Sequence, residues 1–323
     1  MIFLSRLKAY RPLLVILVLL LIAPVFFSSD YHYRVSCLLF INAIAVTGIV
    51  VLLGFAGLIS LGQAGFFGIG AYCAAILPAR FGIYPIAALA IGVAASVVIA
   101  AVLGRPILRL RGHYLAIATL GLGILISIVA NNERAWTGGS DGMVVAAMPI
   151  RDLVRMTGWR ASTPQAWYAF LAVVMLAGLV LATNLSGSQT GRALRGLRGA
   201  PIAAETLGID VAKYKVWAFA ISAGYAGLAG ALFAQFNQFV NAGVAGFLHS
   251  VELVTMAVVG GVTSVPGGFV GAAMLTLLPQ ALAAFNDYEN AILGLIMILT
   301  MIYMGRGLVP TIWSMLQSRQ DSQ

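Results

Sequence analysis

Reactive side chains are scarce along these 323 residues, and those present are scattered. His32, His113 and His249 stand far apart, and Cys37 and Cys73 lack metal-ligand spacing, so the chain offers no metal site and no nucleophile paired with a base. Lys8, Lys213 and Lys215 are the three lysines, none within a Gly-x-x-x-x-Gly-Lys-Ser/Thr phosphate loop. Gly68-Ile69-Gly70 and Gly121-Leu122-Gly123 lack the third glycine of a dinucleotide fingerprint. The polar residues inside apolar runs are Asn42, Thr119, Ser127, Gln235, Asn237, Gln238, Glu252 and Gln280, which form no acid-base chain of the kind that drives a proton- or sodium-coupled carrier. What remains is neutral hydrogen bonding set in glycine-rich backbone. That chemistry touches a solute without transforming it, and it needs no cofactor.

The elements that hold these groups follow from composition. Hydrophobic residues make up 61% of the chain and charged residues 9%, whereas a soluble surface needs about 25% charge. Neutral stretches run over 35–79, 81–104, 112–132, 161–191, 216–251 and 253–286, each long enough for a membrane span. Leu13 to Phe27 and Ile91 to Leu103 are apolar on every face, which points to helices rather than a barrel with alternating strands. The reading is an all-α polytopic membrane protein with about ten crossings, at roughly 12–28, 36–57, 63–79, 86–104, 114–131, 165–184, 216–238, 251–263, 268–285 and 290–304. Residues 253–286 cannot hold two full spans and a turn, so eight full helices with two re-entrant segments would use the same residues. Arg6, Lys8 and Arg11 precede the first apolar block, but Val25-Phe26-Phe27-Ser28 lacks a small-x-small cleavage pattern, and a retained first helix is expected.

Charge sets the orientation. With the N-terminus in the cytosol, thirteen of the 19 basic residues fall on the inner side and the inner segments sum to +10, against −1 outside. This contrast is the positive-inside pattern, and it puts both termini in the cytosol. Spread over several loops, the basic residues imply contact with membrane lipid and no nucleic-acid partner.

Two glycine clusters interrupt the apolar pattern. The first, Gly54 to Tyr72, holds six glycines, several three residues apart, a spacing that lets helices approach closely. One reading is helix packing plus a turn near Ser60. The other is a solute path, with Ser60 and Gln63 presenting hydrogen-bonding groups and Gly65, Gly68 and Thr119 beside them. The second cluster, Gly260 to Gly271, starts at Gly260-Gly261 and echoes the first, as Gly-Phe-Val-Gly against Gly-Phe-Phe-Gly. Paired interruptions of this kind mark the pathway in transporters built from internal repeats.

A cytosolic segment, 185–215, carries Arg192, Arg195 and Arg198 ahead of Pro201. Pro201 suits a first helical position and Gly208 the residue past a helix end, so Pro201 to Leu207 is expected to form two turns of helix. Too short to stand alone, it must pack on the chain itself, on lipid, or on a partner whose groove takes Ile202, Thr206 and Ile209 from one side.

Taken in order, Gly57-Leu58-Ile59-Ser60-Leu61-Gly62-Gln63-Ala64-Gly65-Phe66-Phe67-Gly68-Ile69-Gly70-Ala71-Tyr72, Leu110-Arg111-Gly112-His113-Tyr114-Leu115-Ala116-Ile117-Ala118-Thr119-Leu120-Gly121, Thr137-Gly138-Gly139-Ser140-Asp141-Gly142, Gly191-Arg192-Ala193-Leu194-Arg195 and Ile202-Ala203-Ala204-Glu205-Thr206-Leu207-Gly208-Ile209 resemble a LivM-type permease of branched-chain amino acid ABC importers. The likeness spans residues 35–310, which would be the permease domain; residues 1–34 precede it and 311–323 form a tail. The resemblance implies the fold of a type II ABC importer permease in a bacterial inner membrane. It implies four kinds of partner: a second homologous permease subunit, two cytosolic ABC ATPase subunits, a periplasmic solute-binding protein, and lipid. Ile202, Ala203, Ala204, Glu205, Leu207, Gly208 and Ile209 would then form the coupling helix, with Arg192, Arg195 and Arg198 ahead of it also meeting the ATPase, and Thr137, Gly138, Gly139 and Asp141, in the outer loop 132–164, would dock the binding protein. Members often carry acidic residues just before the position of Ile202, where this chain has Gly199, Ala200 and Pro201, which implies a less charged ATPase contact. Branched-chain amino acids are the default substrate, with urea, amides or other small solutes as the alternative, and an ATP-independent channel or carrier as the reading from a different class.

Overall fold

The computed structural model describes residues 2–27, 29–110, 112–150, 162–206 and 208–282, with 294, 298, 302, 307–309 and 311 as isolated positions. Helix α1 spans Ile2–Ile22 and ends in a tight turn, Ala23–Phe26. Helix α2 spans Asp30–Ile49 and continues as a π-helical turn, Val50–Phe55. Helices α3, Gln63–Phe81, α4, Pro85–Ile107, and α5, His113–Asn132, follow. Local chemistry sets these limits: Pro85 is pre-shaped for a first turn, and Gly82 at φ +62° closes α3 in a left-handed conformation that β-carbons resist.

The single turn α6, Arg134–Thr137, leads into the loop that follows α5. Helix α7 covers Thr163–Gly187 and opens on a capping box, in which the Ser162 amide donates to Gln165 Oε1 at 3.1 Å. Helices α8, Gln189–Gly199, α9, Pro201–Thr206, and α10, Val211–Asn237, come next. Ser188 and Asp210 cap α8 and α10 by accepting from the amides of Gly191 and Lys213. The last two described helices are α11, Phe247–Gly260, and α12, Val265–Leu282.

Six of these helices are long and apolar enough to cross a bilayer among the described residues. Helix α11, at 14 residues, reaches about 21 Å against roughly 30 Å of hydrocarbon, the shortening expected where two spans had too little chain. The expected span at 290–304 and the tail 311–323 lie almost wholly outside the described residues. The fold is that of an all-α polytopic membrane protein, with one addition: strands Met143–Val144 and Phe239–Val240 pair antiparallel as a two-residue ribbon.

Helix α2 with its π turn is the hub, with 83% of its most apolar 18-residue stretch buried, and it is touched by α7, α8, α10, α11 and α12. The most extensive helix pairs are α10 with α3 and α10 with α4. They close through glycine: a Cβ on Gly70 would meet the Gly227 carbonyl, one on Gly230 the Phe67 carbonyl, and one on Gly227 the Ser96 side chain. Lipid removes most of the hydrophobic drive between helices, so such backbone-to-backbone approach supplies the attraction instead. Helix α1 buries Leu13, Ile16 and Leu20 on one stripe and is tied to α7 by the Tyr168 hydroxyl, which donates to the Leu20 carbonyl at 2.8 Å. Helices α4 and α5 are peripheral, with only 22% and 28% of their most apolar 18-residue stretches buried.

Candidate functional site

Between the π turn and α3 the chain leaves helix, because Gly57 adopts φ +69° and the Leu58 amide folds back onto the Leu52 carbonyl at 3.1 Å. The following loop is pinned from both sides. The Leu61 amide donates to Thr119 Oγ1 at 3.2 Å, and the Ala64 amide donates to Ser250 Oγ at 3.0 Å. A Cβ on Gly62 would strike the Thr119 carbonyl, while one on Gly65 would lie 3.0 Å from Gly123 Cα. Gly68 faces Ala245 in the same close manner. The structure therefore sets Ser60, Gln63 and Gly65 beside Thr119, with Gly68 one turn further along α3.

All of them are buried. Ser60 is 6% exposed, Gln63 1% and Thr119 0%, and Gly65, Gly68, Gly260 and Gly261 are buried. Thr119 spends its hydroxyl locally, donating to the Ala116 carbonyl at 3.0 Å, and Ser60 accepts from the Gly62 amide at 3.4 Å. Gln63 differs. Both polar atoms of its amide are buried with no hydrogen-bond partner among the described residues. Leaving such groups unmade costs on the order of 1–3 kcal/mol each, so this amide calls for a functional explanation.

The two glycine clusters touch: a Cβ on Gly54 would run into the carbonyl of Val262, in the turn between α11 and α12. That turn is close-packed, since Gly260 abuts Gly267 and Gly271, and Gly307 abuts Gly261. The contact lies outside the Gly-Phe-Phe-Gly and Gly-Phe-Val-Gly segments that echo each other: Gly65 and Gly68 face Gly123 and Ala245, while Gly268 faces Val46 and Val50.

The helical hairpin α8–α9 docks on the same spot. Leu194 and Leu197 are buried in the core, Arg198 Nη1 donates to the Gly54 carbonyl at 2.5 Å, and the Arg195 guanidinium carbon lies 6.0 Å from the Phe55 ring centroid. Arg192 Nη1 donates to the Gly187 carbonyl at 2.9 Å, capping the end of α7. Each of the three arginines expected to meet an ATPase is engaged within its own chain, although all three remain exposed. Helix α9 ends at Thr206, with Gly208 at φ +80°, and Ile209 lies beyond the turn, packed on the core. The expected stripe of Ile202, Thr206 and Ile209 is accordingly broken, because the left-handed glycine redirects the chain before Ile209. Ala204 is buried and Glu205 exposed; Leu207 lies outside the described residues.

Two cavities open at this end of the bundle, of about 680 Å³ and 290 Å³. The larger lies between α4 and α10 and carries Arg105, Arg109 and Lys213 with Glu205 and Asp210. The smaller lies between the 56–59 turn and Arg198. Glu205 borders both. At the other end, Thr137 is buried. Its hydroxyl sits 2.6 Å from the Ala130 carbonyl and 2.9 Å from that of Glu133, and it accepts from the Gly139 amide at 3.1 Å. Gly138, Gly139 and Gly142 all have positive φ, and a Cβ on Gly142 would strike the Val240 carbonyl. Thr137 to Gly142 is thus a built turn stitched by the ribbon to the end of α10, and of the four expected docking residues Asp141 alone is exposed. The ribbon, the π turn and the inward use of Arg198 escaped the sequence reading. Only Gly57 and Gly142, as turn-forming glycines, gave a signal for them.

A multi-pass bundle of apolar helices, broken by glycine turns, has the architecture of a membrane permease. The chain belongs to the family described as branched-chain amino acid transport system / permease component, which it matches over residues 33–301. It is 34% identical over 320 residues to the high-affinity branched-chain amino acid transport system permease protein LivM of Escherichia coli strain K12, covering 92% of this chain and 74% of the relative. It is also 25% identical over 283 residues to LivH of the same strain, covering 83% and 90%. The BraD permease protein of Pseudomonas aeruginosa is 27% identical over 284 residues, covering 83% and 91%. No solved structure matches.

Proposed function

We propose that this chain forms half of the translocation pathway of an ATP-driven importer for branched-chain or related amino acids. The observation that carries the reading is the hairpin α8–α9, a short helix displayed at the basic end of the bundle and packed through Leu194 and Leu197 onto the π turn that adjoins both glycine clusters. A helix of six residues has little stability of its own and gains it by seating in a groove, here that of a cytosolic ATPase. Similarity to both LivM and LivH supports pairing with a second, homologous permease, and a type II importer arrangement of eight to ten crossings in a bacterial inner membrane with both termini in the cytosol. The buried, unpartnered amide of Gln63 supports a solute path beside the first glycine break, opened when the permease pair changes state. Asp141, on a rigid turn at the opposite end, faces the periplasmic binding protein.

The chain is the passive member of the assembly: it supplies a bistable interface, and its ATPase partners supply the hydrolysis. Reconstitution with partner permease, ATPases and binding protein in liposomes tests this. Leucine, isoleucine or valine uptake that requires internal ATP is the expected result, and flux through this chain alone without ATPases would overturn it.

A further inference from the structure

We infer that Arg198 is a positioning residue that ties the coupling helix to the broken end of α2 from inside the chain, rather than a contact to the ATPase. The inference rests on the coupling role proposed for α9 and assigns the route by which its motion reaches the pathway.

The carbonyls in the last turn of any helix lack partners within that helix, and a positive side chain there satisfies them and complements the helix dipole. At the end of the π turn, Arg198 Nη1 serves this purpose for Gly54, across 144 residues of sequence, in a half-buried bond of 2.5 Å. The stem of the same side chain lies on Gly57, where an added Cβ would sit 2.9 Å from Arg198 Cγ. Head and stem therefore grip the two residues that flank Phe55 and Ala56, and Arg195 reaches the Phe55 ring. On its far side Gly54 has no room for a Cβ against Val262, in the turn that follows Gly260-Gly261. On its near side α8 and α9 share Ala200 as a joint at φ −151°, ψ 83°: its amide bonds to the Gly196 carbonyl at 3.0 Å and its carbonyl accepts from the Ala204 amide at 3.0 Å. A displacement of α9 thus passes through α8 and Arg198 into the π turn and on into the α11–α12 turn. π-Helical turns occur often at functional sites and have an α-helical register close at hand, which gives this joint two states to move between.

Two readouts test the inference. In the permease alone, Arg198→Ala raises amide hydrogen exchange at Leu58, whose bond to Leu52 closes the joint, by about tenfold, the lower range for a charge-assisted bond open to solvent on one side. Exchange along α10 near Gly227 stays unchanged, and Arg198→Lys restores part of the protection at Leu58. In the reconstituted complex, Arg198→Ala leaves co-purification with the ATPase intact while solute moved per ATP hydrolysed falls about tenfold. Unchanged exchange at Leu58, or loss of ATPase co-purification, overturns the inference. Should the wild-type complex show no ATP-driven uptake while exchange at Leu58 responds as described, the importer reading falls and the joint stands.

Discussion

Gly230→Ala places one methyl group where α10 meets α3, and two opposed effects decide its outcome. Alanine is the better helix former by about 1 kcal/mol, which favours the variant. Against this, the new Cβ would overlap the Phe67 carbonyl and lie 3.0 Å from Phe67 Cα, and these are backbone atoms that cannot rotate aside. The helices must part by about an ångström, and a gap of that size forfeits a quarter to a half of each dispersion contact along the seam. Overpacking of this kind costs roughly 1–3 kcal/mol, with backbone against backbone at the upper end, so the net expectation is destabilisation by about 1–2 kcal/mol. Gly121→Ala on α5 is the control, because nothing lies within 4 Å of its added Cβ and only the propensity gain remains. Thermal unfolding of both variants in one detergent reads the difference. A Gly230→Ala protein as stable as wild type, or a Gly121→Ala protein equally weakened, would refute the claim that glycine contacts hold this bundle.

Three further outcomes follow from the sites described. Thr137→Val removes the hydroxyl that joins Ala130, Glu133 and Gly139, leaving buried groups unpaired; a loss of about 1–3 kcal/mol and proteolytic nicking near 137–142 are expected. Asp141→Asn leaves thermal stability unchanged and weakens capture of the binding protein, measured by its affinity for the reconstituted transporter; undiminished affinity removes the docking role. Glu205→Arg adds a cation where both cavities meet, and it is expected to lower ATP-driven uptake at least tenfold while membrane insertion, followed by fractionation, stays normal.

Much of the helix plan was legible because apolar runs ended at residues with a physical reason to end them. Pro85 and the Ser162-to-Gln165 box each cap a helix within a few residues of the expected limit, whereas Asp210 caps α10 well ahead of the expected start at 216 and Ser188 caps a helix, α8, that the apolar pattern did not indicate. The short α11 was legible from length alone. The inward grip of Arg198 was not, because its partner Gly54 is 144 residues away and no local pattern encodes that pairing. The same holds for the ribbon, which pairs Met143 with Val240. Gln63 was singled out as a polar group in glycine-rich backbone, yet its burial depends on where α5 and α11 come to rest. Sequence identified the residue; tertiary packing determined that its amide is unpartnered.

The distribution of close contacts bears on how such a bundle can move. Helices α3, α4 and α10 meet at Gly70, Gly92, Gly227 and Gly230 through backbone and small groups, which resist any sliding that would open a gap. The break at 56–62 is tied instead by hydrogen bonds from Leu61 to Thr119 and from Ala64 to Ser250, with the guanidinium of Arg198 on Gly54, and the close-packed 261–264 turn touches it at Gly54 and Val262. Exchanging a few hydrogen bonds needs far less energy than prising apart a packed helix seam, so alternate states should differ at the breaks and share the α3–α4–α10 block. Distances measured between labels on α3 and α10 should then stay fixed through the ATP cycle, while those from α9 to the 56–62 loop change together with those to the α11–α12 turn. Movement of α3 against α10 of the same size as movement at the breaks would place the hinge elsewhere.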